Sequence, residues 1–502
     1  MKHLILASLM ALALAAGISS PALAQSANET RGTGGQPEAA GQPETSDKPS
    51  AQPPPPSIAS SLGPLGDLWG ARTSLEKAGI TFSLTYIGEV LGNTSGGLRR
   101  GSIYEGRLDT QIDADLEKLL GWSGATFHTN VYQIHGHGLS RYYLGNLMTA
   151  SGIEALPSTR LYELWLEQKF FDDKVALRAG QLAADTEFLV SQYATLFVNA
   201  TFGWPATTAA DLPSGGPAYP LATPGIRLKV APTDELSFLG AIFNGDPAGP
   251  ARPFDDPEPQ RRNRTGTNFR VQDPAFLIGE AAYTYHQGKE AAGLPGTIKL
   301  GAWAHLGRRF NDQRFDNTGL SLADPNASGV ARLLRGNTGA YAVVDQMIYR
   351  LPGTTDQGIG VLARVSGSPS DRNLISFYAD GGMTFKGLIP NRGDDTFGVS
   401  VGYAAISDRA RKRDRDARLF AAAGAVDPET GEFNNTGGAL PVRSSEALIE
   451  VTYQAQIIPG WTVQPDYQYV FRPGGNIPNP RDPNGTAIKN AAIFGLRTTI
   501  RY

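Results

Sequence analysis

The chain has no cysteine among its 502 residues. That excludes a disulfide framework, thiol chemistry and any cysteine-based metal site. Its formal net charge is −3, whereas a nucleic-acid partner calls for a basic surface. Beyond the N-terminus there is no uninterrupted apolar stretch of about 18 residues, the length that a spanning helix needs. Six histidines occur, none in an H-E-x-x-H pattern, and neither a P-loop nor a G-x-S-x-G elbow is found. The mature chain is therefore either soluble or crosses a membrane as strands.

The N-terminus gives the address. Lys2 and His3 precede an apolar run over 4–16, and Ala22-Leu23-Ala24 forms a small-x-small cleavage site before Gln25. This is the pattern of a secretory signal peptide, residues 1–24. Residues 25–57 include Q-P-E-T-S-D-K-P-S-A-Q-P-P-P-P and carry too little apolar surface to bury a core. They read as a disordered or polyproline-type periplasmic leader. In 58–79, the run D-L-W-G-A-R-T-S-L-E-K predicts a short helix, capped by Asp67 and ending before Gly79.

From Ile80 the pattern alternates. Leu108, Thr110, Ile112, Ala114 and Leu116 share one face of a strand, and Arg107, Asp109, Gln111, Asp113 and Asp115 share the other. Five successive polar positions on one face are costly in a protein core and expected in a hydrated lumen. Such segments recur near 80–91, 104–116, 124–136, 160–171, 174–182, 224–231, 236–245 and 275–286. Eight more follow near 297–306, 339–349, 358–367, 374–387, 395–406, 444–456, 461–471 and 491–502. The connections alternate too. They are short after even-numbered segments, as at Asp172-Asp173, and long after most odd ones, as at 137–159, 183–223, 246–274, 307–338, 407–443 and 472–490. An even strand number with short turns at one end and long loops at the other is the asymmetry of an outer-membrane barrel. The fold expected over 80–502 is all-β, a 16-stranded antiparallel transmembrane β-barrel. Its last strand, I-F-G-L-R-T-T-I-R-Y, has one apolar and one charged face and ends on Tyr502.

The 183–223 loop stands apart from the others. Asp185 to Asn199 is apolar enough to be helical, and G-W-P-A-T-T-A-A-D-L-P-S-G-G-P-A-Y-P follows it. An apolar loop on a water-filled barrel buries itself most easily by folding inward. It is expected to form the constriction, with Trp204 or Tyr219 near the solute; capping the outer rim or packing on a neighbouring protomer is the competing role.

Alternation puts Arg107, Asp109, Asp113, Glu163, Glu167, Arg178, Arg227, Lys229, Asp466 and Arg497 on the inner face. An anion pore is lined mainly by Arg and Lys, and a cation pore by Asp and Glu. This mixed lining suits neutral, hydroxyl-rich solutes, which charged groups can hydrogen-bond. Glu163, Glu167, Arg178 and Arg227 are the foremost candidates for solute contact, with Arg107, Asp109 and Trp204 beside them. For each charge the competing role is an ion pair that stiffens the wall. His135-Gly136-His137 lacks a carboxylate cluster and reads as solvated rather than metal-binding. The run R-A-R-K-R-D-R-D over 409–416 reads as a solvated external loop that could meet lipopolysaccharide phosphates. No cofactor or metal is expected.

Several segments, in this order, resemble the carbohydrate-selective porins of the OprB family. They are G-D-L-W-G-A-R-T-S-L-E-K-A-G-I (66–80), R-L-Y-E-L-W-L-E-Q-K-F (160–170), L-R-A-G-Q-L (177–182) and G-I-R-L-K-V-A-P-T-D (225–234). A-I-F-N-G-D-P (241–247), Q-P-D-Y-Q-Y-V-F-R-P-G-G-N (464–476) and G-L-R-T-T-I-R-Y (495–502) complete the set. The resemblance implies an outer-membrane channel that passes glucose and other small sugars by diffusion. Gln181 stands where members often carry a basic residue, and Tyr502 where many end in Phe. The expected partners are small sugars, outer-membrane lipid and lipopolysaccharide, and the barrel assembly machinery acting on the C-terminal strand. The protomer is expected to be a homotrimer subunit or a monomer. A general diffusion porin shares every patterning feature and differs only in these motifs. A barrel lipase or protease lacks a recognisable nucleophile and base here. An energy-coupled receptor needs a plug that the 55 residues from Gln25 to Gly79 cannot form.

Overall fold

The computed structural model describes residues 56–287, 293–423 and 440–502. The expected signal peptide, and all of the leader before Pro56, lie outside them. Among the described residues there are eighteen strands. β1 (Ile80–Gly97), β2 (Gly101–Asp115), β3 (Ala125–Gly136), β4 (Ser158–Phe170), β5 (Val175–Leu182) and β6 (Thr223–Val230) form one third of the wall. β7 (Leu236–Asn244), β8 (Ala275–Tyr285), β9 (Gly296–His305), β12 (Asn337–Arg350) and β13 (Gly358–Gly367) continue it. β14 (Ile375–Lys386), β15 (Thr396–Ile406), β16 (Ser445–Ile458), β17 (Trp461–Phe471) and β18 (Lys489–Arg501) complete it. These sixteen close into one antiparallel barrel, each strand pairing with its neighbours in sequence and β18 returning to β1. At the seam Glu89 pairs with Arg497 and Thr85 with Arg501. Closure leaves no strand edge unpaired in lipid.

The two faces separate as the alternation predicts. Val90, Leu177, Ile226, Leu300, Val401, Phe494 and Leu496 are exposed on the outside, an apolar band suited to lipid. The pairing register carries Asp109 against Tyr132, Tyr132 against Arg160, and Glu167 against Arg178 on the inside. One irregularity matters. The register between β3 and β4 slips, with Asn130 opposite Glu163 but Val131 opposite Leu161. This bulge inserts Tyr162 as an extra residue, so Arg160 and Tyr162 face inward above it while Glu163, Trp165 and Glu167 face inward below.

The remaining two strands, β10 (Phe310–Asp316) and β11 (Ala331–Leu334), form a hairpin within the external 307–338 connection. A helix, Asp408–Ala423, packs beside it, which corrects the expectation of a solvated loop over 409–416. Lys412 pairs with Asp408 at 2.6 Å one turn back. Asp416 accepts two hydrogen bonds from Arg314 of the hairpin, at 2.8 and 3.0 Å, and Arg409 reaches Asp312. Arg409 and Asp416 of the run thus face partners on a second element. At the opposite end the expected N-terminal helix is shorter than Asp67 to Lys77. It runs Ala71–Lys77, because Gly70 takes φ 90° and bends the entry. Asp67 still caps the helix from outside, accepting from the Thr73 backbone N–H (2.8 Å) and hydroxyl (2.9 Å).

The buried core lies inside the barrel. Phe243, Phe276, Trp303, Tyr341 and Val343 of the inner wall pack with Phe188, Leu189, Trp204 and Leu212 of the 183–222 connection. Tyr378, Leu448 and Val470 pack with Phe197 and Phe202 of the same loop. Left in a water-filled lumen, these wall residues would forfeit about 1.5–3 kcal/mol each of burial. The loop covers them, as its apolar composition predicts.

Candidate functional site

The infolded loop is not the helix expected over 185–199. It is a chain of turns with short 3₁₀ pieces at Ala194–Leu196 and Ala200–Phe202, followed by a helix at Ala206–Asp211. The reason lies in the wall. Glu280 accepts from the backbone N–H of Leu189 at 3.0 Å. Asp345 accepts from that of Gln192 at 2.9 Å and from the Ser191 hydroxyl. Glu450 accepts from both Val198 (2.5 Å) and Asn199 (3.1 Å). Peptide donors that a helix would turn on its own carbonyls are instead captured by inward carboxylates. Arg364 works in the opposite sense, donating to the carbonyls of Leu189 and Thr201 at 3.0 Å each while ion-paired with Asp380 at 2.5 Å. Thirteen residues of loop, 189–201, are thereby stapled at both ends to one buried guanidinium.

The anchors extend round the far wall, through Gln464 to the Leu196 carbonyl and Asn199 to Gln468. Near its start the loop is held by Glu187. This side chain closes a ring of four charges with Glu167 of β4, Arg178 of β5 and Arg227 of β6. Arg178 meets Glu187 at 2.5 Å and Glu167 at 3.0 Å; Arg227 meets Glu187 at 2.5 Å and Glu167 at 2.7 Å. The Arg178 guanidinium also lies 3.7 Å from the Trp165 ring centre, and His128 stacks on the same indole at 4.6 Å. His128 in turn bonds Asp113 at 2.6 Å. Where the loop returns to β6, Asp185 accepts from the Tyr219 N–H and the Tyr162 hydroxyl, both at 2.9 Å, and burial pushes its carboxyl above the ordinary range. Arg160, fully buried, donates to the carbonyls of Pro220 and Gln260.

The inner face of β1–β4, β17 and β18 has a different character. There Asp109 has both carboxylate oxygens buried with no hydrogen-bond partner among the described residues. The same holds for Arg107 Nε, Glu105 Oε1, Glu89 Oε2, His128 Nε2, Trp165 Nε1 and Asp466 Oδ1. Arg107 lies 5.2 Å from the ring centres of both Tyr132 and Tyr219. Buried polar groups are ordinarily satisfied, and these atoms are buried without a protein partner among the described residues, which singles them out as groups that an ordered water could satisfy.

The sequence-derived candidates therefore divide. Arg107 and Asp109 lie side by side on the inner face with unpartnered polar atoms. Glu167, Arg178 and Arg227 come together, but on one another and on Glu187. Glu163 accepts from the Ala183 N–H at 3.1 Å, at the root of the loop. Trp204, expected beside the solute, is buried in the apolar cluster under the loop with its indole N–H donated to the Gly215 carbonyl at 3.0 Å. A large apolar ring gains more by covering wall residues than by facing water. Tyr219 keeps its ring face toward Arg107 while its hydroxyl donates to the Ile153 carbonyl. His135 bonds Gln133 at 2.9 Å, and the described residues hold no cluster able to bind a metal. Glu187, Arg160, Glu280, Asp345, Arg364, Asp380 and Glu450 were not singled out from sequence. All but Glu187 and Arg160 were legible as inward charges in segments with correct strand phase. Arg160 was hidden by the bulge.

A closed sixteen-strand barrel with an anchored loop folded into its lumen defines a diffusion channel of the outer membrane. The family described as "Carbohydrate-selective porin, OprB family" matches residues 99–502, and the chain belongs to it. Porin B of Pseudomonas aeruginosa is 23% identical over 454 residues, covering 86% of this chain and 90% of that protein. "Putative porin QuiX" of Acinetobacter baylyi is 22% identical over 431 residues, covering 82% and 88%. A solved structure of Pseudomonas putida OprB at high pH superposes with a TM-score of 0.71 at 22% identity, over 87% of this chain and 97% of that one, an agreement in fold.

Proposed function

We propose that this porin passes small neutral sugars into the periplasm by unassisted diffusion, along a path on the β1–β4, β17 and β18 wall, and that it catalyses no reaction. The division of the lumen carries this reading. Carboxylates and guanidinium groups of the far wall spend their hydrogen bonds on the loop, whereas Asp109, Arg107 and Glu105 keep polar atoms without protein partners. A sugar offers donors and acceptors on every carbon. Its hydroxyls can exchange hydrogen bonds with this wall through ordered water held at Asp109, Glu105, Arg107 and the Trp165 N–H, whose polar atoms are themselves buried. Charges of both signs on the path give no ion a clear advantage. Trp165 acts here through its N–H, because Arg178 and His128 occupy its two faces. Glu167, Arg178 and Arg227 serve the path by holding the loop root through Glu187, and Glu163 does so through Ala183. Around the barrel, the outward band meets lipid, the arginine-rich face of the helix Asp408–Ala423 meets lipopolysaccharide phosphates, and the strand ending at Tyr502 is read by the assembly machinery.

Swelling of proteoliposomes in isosmotic glucose, compared with an amino acid of equal size, tests the reading. Faster swelling in glucose is expected, and equal rates would reject sugar preference in favour of a general porin.

A further inference from the structure

We propose that residues 58–77 and the helix Leu116–Leu120 form a collar around the periplasmic rim that sits in the headgroup–acyl boundary of the outer membrane, with phospholipid of the periplasmic leaflet as its partner. Position is the first argument. The Tyr502 hydroxyl donates to the carbonyls of Leu65 (2.8 Å) and Gly66 (3.1 Å). Arg72 lies 5.3 Å from the Phe82 ring centre and 5.2 Å from that of Tyr502. Phe82 pairs with Ile112, one residue out of phase with the inward Asp113 and Gln111, so Phe82 faces outward. Residues 58–77 therefore lie outside the barrel, at the end of the short turns, across the β1–β18 seam.

The helix Leu116–Leu120 lies on the outside as well. Leu116 and Leu119 pack on Ala114, Ala125, Phe127 and Leu166, all on the opposite side of their strands from Asp113, His128 and Trp165.

Chemistry is the second argument. With one side of the collar seated on the barrel, Leu65 (53% exposed), Trp69 (76%) and Trp122 (47%) project away from it, and so does Phe171 (76%) of the β4–β5 turn. Several large apolar groups so fully exposed at one end of a barrel are unusual on a surface that faces only water. The Leu65 carbonyl is bonded by Tyr502 at the end of β18, the strand whose Leu496 is exposed in the lipid-facing band, so the collar stands at the rim of that band. The same helix as Arg72 presents Thr73, Ser74 and Lys77 to solvent, giving the polar face of an element that lies in the interface plane. Tryptophan is suited to that depth, where its ring is apolar and its N–H stays wet.

The absence of cysteine makes a direct test simple. Single nitroxides at Leu65→Cys, Trp69→Cys and Trp122→Cys in the full chain, reconstituted into phosphatidylethanolamine–phosphatidylglycerol vesicles, report collision with oxygen against a water-soluble nickel chelate. Leu496→Cys supplies the lipid reference and Lys77→Cys the aqueous one. The oxygen-to-nickel ratio is expected to be several-fold higher at the three collar sites than at Lys77. A ratio equal to that at Lys77 overturns the proposal. So does intermolecular spin broadening, the mark of a second copy, or protection from both reagents, the mark of a protein cover.

Discussion

Removing the infolded loop should open the channel by an amount that the barrel itself sets. Leu182 and Thr223 are directly paired across β5 and β6, so residues 184–221 can be replaced by a two-residue turn without stretching the wall. A cut confined to 199–219 would be worse designed. It would join Val198, tethered to Glu450 on β16, to Pro220, tethered to Arg160 on β4, across the width of the lumen. Sixteen strands about 4.8 Å apart and tilted about 40° enclose a backbone cylinder of roughly 16 Å radius. Inward side chains reduce this to about 10 Å of free radius. The loop is anchored on β8, β12, β13, β16 and β17, so it obstructs at least half of that section. Conductance follows free area, and the turn variant should conduct at least about twice as well as the wild type in planar bilayers. Its swelling rates for sugars of increasing size should also converge. The wall carboxylates released from the loop become hydrated, so the barrel should persist in heat-modifiability gels. Unchanged single-channel conductance from a folded variant would refute the reasoning, because the loop would then lie outside the conducting path.

Three further outcomes follow. Asp109→Asn and Arg107→Met should each slow glucose entry several-fold in swelling assays of the folded variants, whereas glucose entry at the wild-type rate would remove both from the path. Arg364→Leu should cost about 3–5 kcal/mol because it strands Asp380 as a buried charge; Arg364→Leu/Asp380→Leu should recover most of that stability but not the quiet open-channel current, since the carbonyls of Leu189 and Thr201 stay unheld. Thermal denaturation and current noise report the two effects separately. Burial pushes the Asp211 carboxyl up to about 8 despite hydrogen bonds from the Ile375 N–H and the Ser368 hydroxyl. The folded state then binds a proton that the unfolded chain has released, so this group's contribution is fully present below about pH 4 and lost as pH rises toward 8. Asp211→Asn should flatten that part of the stability profile, and identical profiles for the two proteins would count against the buried acid.

Much of the architecture was legible. All sixteen wall strands coincide with segments of alternating polarity, because a wall between lipid and water forces opposite demands on successive residues. The inward footprint of the loop was legible as well. Phe243, Phe276, Trp303, Val343, Leu448 and Val470 are apolar at inward positions, which a water-filled lumen would not tolerate uncovered. The loop's internal conformation was not. A propensity reading of 185–199 favours a helix, yet Glu280, Asp345 and Glu450 lie 91 to 252 residues away from the N–H groups they bind. Arg160 escaped because a one-residue bulge reverses facing without any local signature. The helix Asp408–Ala423 was misread because its charge run looks solvated until Arg314 and Asp416 are seen together.

By itself, the sequence determined the barrel, its strand number, its lipid and lumen faces, and the membrane it belongs to, since each follows from a period-2 pattern and from loop lengths that are local along the chain. Tertiary structure alone decided which inward charges are spent on protein partners. Arg178 and Arg107 are equivalent in alternation and in charge, but Arg178 meets Glu167 and Glu187, while Arg107 keeps an Nε without a partner among the described residues. An ion pair is a relation between side chains on different segments, and only the folded wall brings its members within reach.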